Sequence, residues 1–239
     1  MAPSSPVRRV VLTFVAPMLQ VLVSLNKALR YRVYFRRMNR VLSPTTSEHQ
    51  QYLAVQLHRT IQKNSLLLPE RARHLIDKCS EFMPTGYGRV LCVGCRNRVE
   101  LDYFRSKGAL DVRGIDLYSE SSDILVQDMH RMMFPSESFD VVYSSHSLEH
   151  SIDPRKAVKE FVRVAKPEGL VVIEVPVNYD RTRSRADLQD FQSPDNLRNL
   201  FSGYAFEVVW QETGLPLDAG SDVIRIIVRV QKPNRLEGL

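Results

Sequence analysis

The hydrophobic pattern divides the 239-residue chain into short apolar runs, which predict strands, and stretches of helical periodicity between them. The predicted strands span 89–93, 111–116, 123–127, 139–145, 169–175, 205–211 and 222–231. The predicted helices span 47–63, 68–80, 98–107, 154–166 and 194–202. Helices separate three of the consecutive pairs of runs, but only a loop containing Gly214, Pro216 and Gly220 separates the last two. This order predicts an α/β fold whose parallel sheet is closed by a final hairpin.

Local signals place the starts of helices and the division of the chain. Asp153-Pro154 and Ser193-Pro194 are each an N-cap followed by proline at the first helical position. Ser47 with Gln50 forms a capping-box pattern, just after the break at 43–46. We therefore predict an N-terminal segment, 1–46, and a domain, 47–239. The domain has a helical lead-in, 47–84, and a core, 85–231.

Residues 89–150 carry most of the information about function. The apolar run 89–93 meets Gly94, an amphipathic stretch follows at 99–107, and a second apolar run ends at Asp116. This order is typical of a nucleotide-binding βαβ unit. A turn at Gly94 lets the backbone approach a ligand, and the following helix N-terminus offers N–H groups to negative charge. Asp116 can accept hydrogen bonds from both hydroxyls of a ribose.

Two further motifs follow in order, Asp128-Met129 and the sequence FDVVYSSHSLEH at 139–150. Together with Gly94 and Asp116 they resemble the class I S-adenosylmethionine-dependent methyltransferases. Within that family the resemblance is to the small-molecule methyltransferase-like subgroup, whose fourth strand reads F-D-x-V followed by L-E-H. It covers about residues 85–231. It implies a Rossmann-like, seven-stranded, mostly parallel sheet with a final antiparallel hairpin strand, and S-adenosylmethionine as cofactor.

The resemblance also implies where the cofactor would bind. The first loop, Gly94, Cys95 and Arg96, would cradle its methionine part. Asp116 would bind the ribose, and Leu117 would lie beside the adenine.

Three other positions complete the implied site. Asp128 would accept from the adenine amino group, while the backbone N–H of Met129 faces the ring. Ser145 and His146 end the fourth strand, at the edge that borders the methyl group and the acceptor in this family. His146 is a candidate general base. It could equally satisfy backbone groups of its loop.

The first loop departs from the family pattern, which has an acid near position 92 and glycines at 96 and 98. This chain has Cys92, Arg96 and Arg98. Arg96 could meet the carboxylate of the cofactor, or it could plug the pocket. Two functions therefore compete. One is methyl transfer to a small-molecule acceptor, for which the apolar N-terminal run suggests a lipid-like compound. The other is a membrane-tethered scaffold or binding protein with a degenerate, non-catalytic cofactor site.

Three remaining patterns have weaker functional interpretations. Cys92 and Cys95 form C-x-x-C, but no second pair completes a zinc site. Residues 146–150 spell H-x-x-E-H, a metallopeptidase pattern that needs a helix beneath both histidines. A strand runs directly into it, so we predict no metal site. The arginines of the segment 177–192 could bind an anionic acceptor or belong to a solvated loop: Arg181, Arg183 and Arg185.

The charge distribution argues against a nucleic-acid partner. The pI is 9.3, but residues 1–46 hold eight of the 33 Lys and Arg and none of the 27 acids. The rest of the chain thus has 33 − 8 = 25 basic and 27 acidic residues, a net charge of −2. Basicity belongs to the N-terminal segment, and no nucleic acid is expected to bind the domain.

The N-terminal segment contains an almost wholly apolar run from Val10 to Leu25, flanked by basic residues. It fits a membrane anchor or a deep interfacial helix. An Arg-rich, acid-free mitochondrial targeting segment and a helix packed on the domain's own core are the alternatives. We expect membrane association through residues 10–25 with the enzyme domain in the cytosol, or else a mitochondrial location.

Overall fold

A seven-stranded sheet in the order β3-β2-β1-β4-β5-β7-β6 forms the centre of the protein. The computed structural model describes residues 16–42, 46–62, 66–119, 121–177, 187–214 and 222–231, with side chains of the first helix from Val23 onward. The strands are β1 Arg89–Val93, β2 Asp111–Asp116, β3 Ile124–Val126, β4 Phe139–Ser145, β5 Ala165–Pro176, β6 Phe206–Gly214 and β7 Val223–Val230. The first five pair in parallel, and β7 is antiparallel to both β5 and β6. This confirms the predicted Rossmann-like sheet with its antiparallel final strand.

Helices pack on both faces of the sheet and precede it in the chain. They are α1 Ala16–Leu42, α2 Ser47–Gln62, α3 Glu70–Ser80, α4 Val99–Ser106, α5 Pro154–Val164 and α6 Pro194–Arg198. Among the strands, the boundary that differs most from its prediction is the start of β5. The fifth strand begins at Ala165 rather than at 169, because Ala165 already pairs with Phe139. The register then shifts before Leu170 pairs with Val141. This irregularity accommodates the additional residues at the start of β5.

Helix caps agree with the sequence at two of three positions. The side chain of Asp153 accepts from the backbone N–H of Lys156 at 3.0 Å, and that of Ser193 accepts from the N–H of Asn196. The predicted cap at Ser47 is wrong by one residue. Thr46 Oγ1 accepts from the N–H of His49 at 3.1 Å, so the threonine caps α2.

Alternating side chains of the strands supply two apolar layers. In β1, Leu91 and Val93 face the layer that includes α5, whereas Val90 and Cys92 face the layer with α3 and α4. Because the strands are parallel, the residues after β1, β2 and β4 meet at one edge of the sheet. That edge carries the predicted site.

A third apolar cluster covers this edge and joins α1 to α2. Met38 of α1, Leu53 and Leu57 of α2, and Tyr118, just after β2, are buried together. The domain division at residue 46 stays a prediction, but α1 packs against the domain across it. None of the described helices has the length and hydropathy needed to cross a membrane. The first part of the apolar run, 10–15, lies outside the described residues.

Candidate functional site

The turn after β1 requires a glycine at position 94. Gly94 has φ +71°, and a Cβ built there would lie 2.3 Å from the Cβ of Ser147. The Ser147 hydroxyl donates to the carbonyl of Val93 at 3.0 Å, which draws the end of β4 onto the turn. Only a residue without a side chain allows this close approach. Gly94 therefore allows the residues after β4 to pack directly against the turn after β1, at the edge where the parallel strands end.

Asp116 ties the first loop to the end of β2. It is 8% exposed. Its Oδ2 accepts from the backbone N–H of Arg96 at 2.8 Å, and its Oδ1 accepts from that of Tyr118 at 3.3 Å. Burial raises the pKa of this carboxyl, and the N–H bonds oppose that shift without cancelling it. The carboxylate thus lies next to the loop, where it could accept from a ligand as well.

Asp128 is held by two histidines. Its Oδ1 accepts from the backbone N–H of His130 at 2.9 Å and also contacts Nδ1 of the His130 ring at 2.5 Å. Its Oδ2 accepts from His49 Nε2, on α2, at 3.1 Å. Burial alone would raise the pKa of Asp128, but the hydrogen bonds of His130 hold it below its ordinary value. His130 Nε2 in turn meets the hydroxyl of Ser151 at 2.6 Å, so the acid is fixed in place.

One pocket of about 530 Å³, partly open to solvent, brings most of the predicted site residues together. Cys95 and Ser145 do not line it. The predicted residues that do are Gly94, Arg96, Asp116, Leu117, Asp128, Met129 and His146.

Helix α2 covers the pocket and supplies part of its lining, which the sequence pattern did not predict. Tyr52, Gln56 and Thr60 line it and lie four residues apart, on one face of the helix. Burial, together with the charges of Asp128 and Asp116, raises the pKa of Tyr52. The signal in the sequence is a row of polar residues at helical spacing beside the apolar row of Leu53 and Leu57. The other lining residues that were missed are Val93, Ile115, Gln127, Ser147 and His150.

Arg96 has a left-handed backbone conformation, which glycine adopts most readily. Its φ is +56°, a value that L-residues with long side chains rarely adopt. Burial lowers the pKa of the guanidinium, the charge of Asp116 opposes this, and Arg59 and Arg71 add positive charge nearby. The side chain lines the pocket. In contrast, Arg98 has φ −83°, is half-exposed and pairs with Asp102 and Asp123.

His146 is held at the other end of the pocket by a buried acid. Its backbone N–H donates to the carbonyl of Glu174, and its ring Nε2 lies 3.2 Å from Glu174 Oε1. Glu174 is fully buried and also contacts Ser145 Oγ at 3.0 Å and Arg225 Nε at 2.5 Å. Burial alone would raise the pKa of Glu174, but His146 and Arg225 hold it below its ordinary value. Ser145 therefore supports the histidine rather than the pocket.

The H-x-x-E-H segment does not take the metallopeptidase form. Residues 148–150 form a single 3-10 turn, and His146 precedes it with φ +49°. Glu149, His150 and Asp187 do lie close enough to share an ion. However, Arg59 of α2 donates to both Asp187 and His150. A metal bound to these residues would have to displace that guanidinium.

The remaining candidate residues have structural roles or lie outside the described part. Cys92 and Cys95 are free and buried, and burial raises the pKa of both thiols, which disfavours redox or metal chemistry. Cys95 packs against Gly114, where a Cβ would lie 2.5 Å from its Sγ. The arginines considered for an anionic acceptor are outside the described residues: Arg181, Arg183 and Arg185.

Comparison with known proteins agrees with this geometry. The methyltransferase domain family matches residues 48–219. Chloroplastic tocopherol O-methyltransferase of Arabidopsis thaliana is 32% identical over 94 residues, which are 39% of this chain and 26% of that protein. The chain thus spans about a quarter of that relative's length.

Solved structures show the same fold at low identity. A methyltransferase of Haloferax volcanii, in complex with the Trm112 methyltransferase activator, has a TM-score of 0.58 and 19% identity over 69% of this chain and 90% of its own. The N-methyltransferase NodS of Bradyrhizobium japonicum, in complex with S-adenosylhomocysteine, has a TM-score of 0.53 and 16% identity. The match covers 67% of this chain and 87% of NodS.

The sheet order is that of the class I methyltransferase fold, the fold of methyltransferases whose methyl donor is S-adenosylmethionine. The chain belongs to the methyltransferase domain family.

Proposed function

We propose that this protein transfers a methyl group from S-adenosylmethionine to a small-molecule acceptor, with a lipid-like acceptor favoured by the apolar N-terminal run. The observation that carries the proposal is one pocket lined by Gly94, Asp116 and Asp128, each at the end of its own strand or loop. The partial similarity to a tocopherol methyltransferase supports the acceptor class.

The residues present fit the cofactor. When bound, S-adenosylmethionine supplies an activated methyl group, so the protein mainly has to hold donor and acceptor in line. Gly94 lets the backbone approach, and Asp116 offers a carboxylate to the ribose. Arg96, with Arg59 and Arg71 nearby, offers positive charge to a carboxylate. Asp128 Oδ2 already accepts from His49, and its second lone pair could accept from the adenine amino group.

Calorimetry with S-adenosylhomocysteine tests the cofactor site directly. A radiolabelled methyl donor, incubated with phenolic lipids and with a total lipid extract, tests the transfer. Absence of binding at millimolar ligand would refute the enzyme proposal. Binding without transfer to any of these acceptors would refute the proposed acceptor class alone.

The effect of replacing Arg96 distinguishes the methyltransferase proposal from the alternative of a non-catalytic scaffold. If its guanidinium binds the cofactor carboxylate, Arg96→Gly should weaken S-adenosylhomocysteine binding by about 10- to 100-fold, the value of a charge-assisted hydrogen bond. If the side chain plugs the pocket, the same change should strengthen binding, because glycine also suits the positive φ.

Arg98→Gly is the matched control for this measurement. Arg98 also occupies a glycine-like place, but it has an ordinary φ and a half-exposed side chain. Its replacement should leave the affinity within about twofold, because exposed ion pairs contribute little. Tighter binding by Arg96→Gly alone would favour the scaffold.

We also propose that His146 removes the proton of the acceptor. It lines the pocket, and Glu174 orients its ring. His146→Asn should lower kcat by about 10²- to 10⁴-fold, the usual contribution of a general base. Asparagine tolerates the positive φ at this position, so the loop should keep its shape. Unchanged affinity for S-adenosylhomocysteine would show that the loop is intact. Unchanged kcat would mean that the histidine only holds its loop.

The membrane association of residues 10–25 and the cytosolic or mitochondrial location remain proposals. They are supported by the apolar run, its basic flanks and the absence of acids from 1–46. Fractionation of cells that express the full chain would separate the two locations.

A further inference from the structure

The half of α1 from Val23 onward presents a continuous exposed row of apolar and basic side chains. Leu25, Leu29 and Val33 are 61%, 64% and 54% exposed. They are four residues apart and so lie along one line of the helix. Arg36 and Arg40, both exposed, continue that line. We call this row, with the exposed Arg32 and Arg37 beside it, the outer face of α1.

The opposite side of α1 is fixed to the domain. Met38 is fully buried in the cluster with α2, and the rings of Tyr34 and Tyr118 meet edge to face at 4.4 Å. Arg30 donates to the hydroxyl of Tyr118 at 2.6 Å. Because these contacts set the rotation of the helix, the outer face points away from the domain. Its exposure is therefore a property of the folded protein.

Charge indicates the kind of partner. Four exposed arginines flank or continue the apolar row, and residues 1–46 contain no acid. Such a surface attracts an anionic partner. Nucleic acid or an acidic protein would use the arginines but not the aligned Leu25, Leu29 and Val33. A helix with apolar residues between arginines is typical of one that lies in the interface of a bilayer.

We propose that the outer face of α1 docks on an anionic lipid surface, with the apolar row inserted and the arginines among the headgroups. This rests on, and extends, the proposed membrane association of the N-terminal segment. It assigns contacts beyond the apolar run 10–25, as far as Arg40. It also places the pocket near the membrane, because Tyr118, which α1 contacts, donates its backbone N–H to Asp116. An acceptor dissolved in the bilayer would then have a short path to the site.

Vesicle sedimentation of the full chain tests the proposal. The wild type should bind vesicles of phosphatidylcholine mixed with phosphatidylglycerol more tightly than vesicles of phosphatidylcholine alone. Arg36→Gln with Arg40→Gln should lower the partition coefficient on the mixed vesicles about 30-fold, at about fivefold per basic residue. Leu29→Asn with Val33→Asn should weaken binding to both kinds of vesicle. These side chains are exposed, so folding should be little affected.

Matched controls lie at the opposite edge of the sheet. Arg89→Gln with Lys107→Gln removes the same charge, and Leu110→Asn removes an apolar side chain that is 86% exposed. Neither should change the partition by more than about twofold, because charges beyond a Debye length of about 10 Å are screened. A melting curve for each variant shows that it is folded.

Several results would overturn the proposal. The proposal is wrong if the wild type does not bind anionic vesicles, or if both α1 variants bind them as tightly as the wild type does. If the wild type forms dimers and the α1 variants do not, the outer face instead binds a second copy of the chain. Loss of binding in Leu12→Asn with Phe14→Asn, but not in the α1 variants, would leave the attachment to residues 10–25 alone. S-adenosylhomocysteine calorimetry on the same proteins separates any of these outcomes from failure of the enzyme proposal.

Discussion

Asp116→Ala should abolish measurable binding of S-adenosylhomocysteine. The buried carboxylate would lose two hydrogen bonds to ribose hydroxyls, each worth about 1.5–3 kcal/mol for an ionised acceptor. The change also releases the backbone N–H of Arg96, which now donates to Asp116 Oδ2 at 2.8 Å. The sum is at least about 3 kcal/mol, or about two orders of magnitude in Kd. Isothermal calorimetry measures it.

Two variants show whether such a loss is specific. Asp111→Ala removes an acid from the start of the same strand, β2, where it pairs with Arg89 and Arg113 at the surface. It should leave the affinity unchanged. Asp116→Asn keeps one oxygen for the loop and should bind more weakly than the wild type but better than Asp116→Ala. If Asp116→Ala binds as the wild type does, this pocket is not the cofactor site.

The parts of the site at strand ends could be predicted from the sequence, because chain order fixes them. A buried parallel strand is an apolar run in the sequence, and the residues just after it must lie at the C-terminal edge of the sheet. Gly94, Asp116 and Asp128 each end or succeed such a run, which is why the structure brings them to one pocket. Even the turn at Arg96 keeps the left-handed backbone of a glycine-rich loop.

The cover of the site could not be predicted in the same way. The pattern of 47–63 predicts an amphipathic helix, but amphipathicity does not say which surface the helix covers. Contacts such as His49 to Asp128 and Arg59 to Asp187 depend on the docking of α2 over residues far away in the chain. The same limit applies to the contact of α1 with Tyr118. Tertiary packing, not local periodicity, decides these positions.

The support beneath His146 was also missed, although it left a signal. Glu174 and Arg225 are charges of opposite sign inside two largely apolar runs. A charge in a buried strand requires a partner. The register that joins them, Glu174 opposite Arg225, is set only when the antiparallel β7 pairs with β5. Strand order and direction, which the sequence pattern leaves open, determine that contact.

Arg225→Met should destabilise the fold by about 3 kcal/mol, the lower part of the range of about 3–5 kcal/mol for breaking a buried ion pair. Arg225 is 2% exposed, and its Nε lies 2.5 Å from Oε2 of the fully buried Glu174. Its NH1 also donates to Glu212, on β6, at 2.7 Å. Arg71 and His146 remain near Glu174 and limit the loss. Urea unfolding followed by circular dichroism measures the change.

A double variant distinguishes a broken ion pair from a packing defect. Glu174→Met with Arg225→Met replaces both charges by apolar side chains of similar length. Such replacements of whole buried pairs are often neutral or stabilising. The double variant should therefore recover most of the stability that Arg225→Met loses. If it is no more stable than the single variant, lost packing rather than an unpaired Glu174 explains the defect.

The dependence of this loss on pH gives an independent check. In the wild type the pKa of Glu174 is below its ordinary value, so its ion pair stabilises the fold above that value and is lost as the pH falls. Without Arg225, His146 alone of the two named groups opposes the effect of burial, so the pKa of Glu174 in the folded variant is higher than in the folded wild type. The ionised Glu174 therefore contributes less stability to the variant than to the wild type, and this difference grows as the pH rises and the carboxyl ionises. The destabilisation by Arg225→Met should thus be larger at about pH 8 than at about pH 5. A difference that does not change between these conditions would mean that Glu174 is not the group left unpaired.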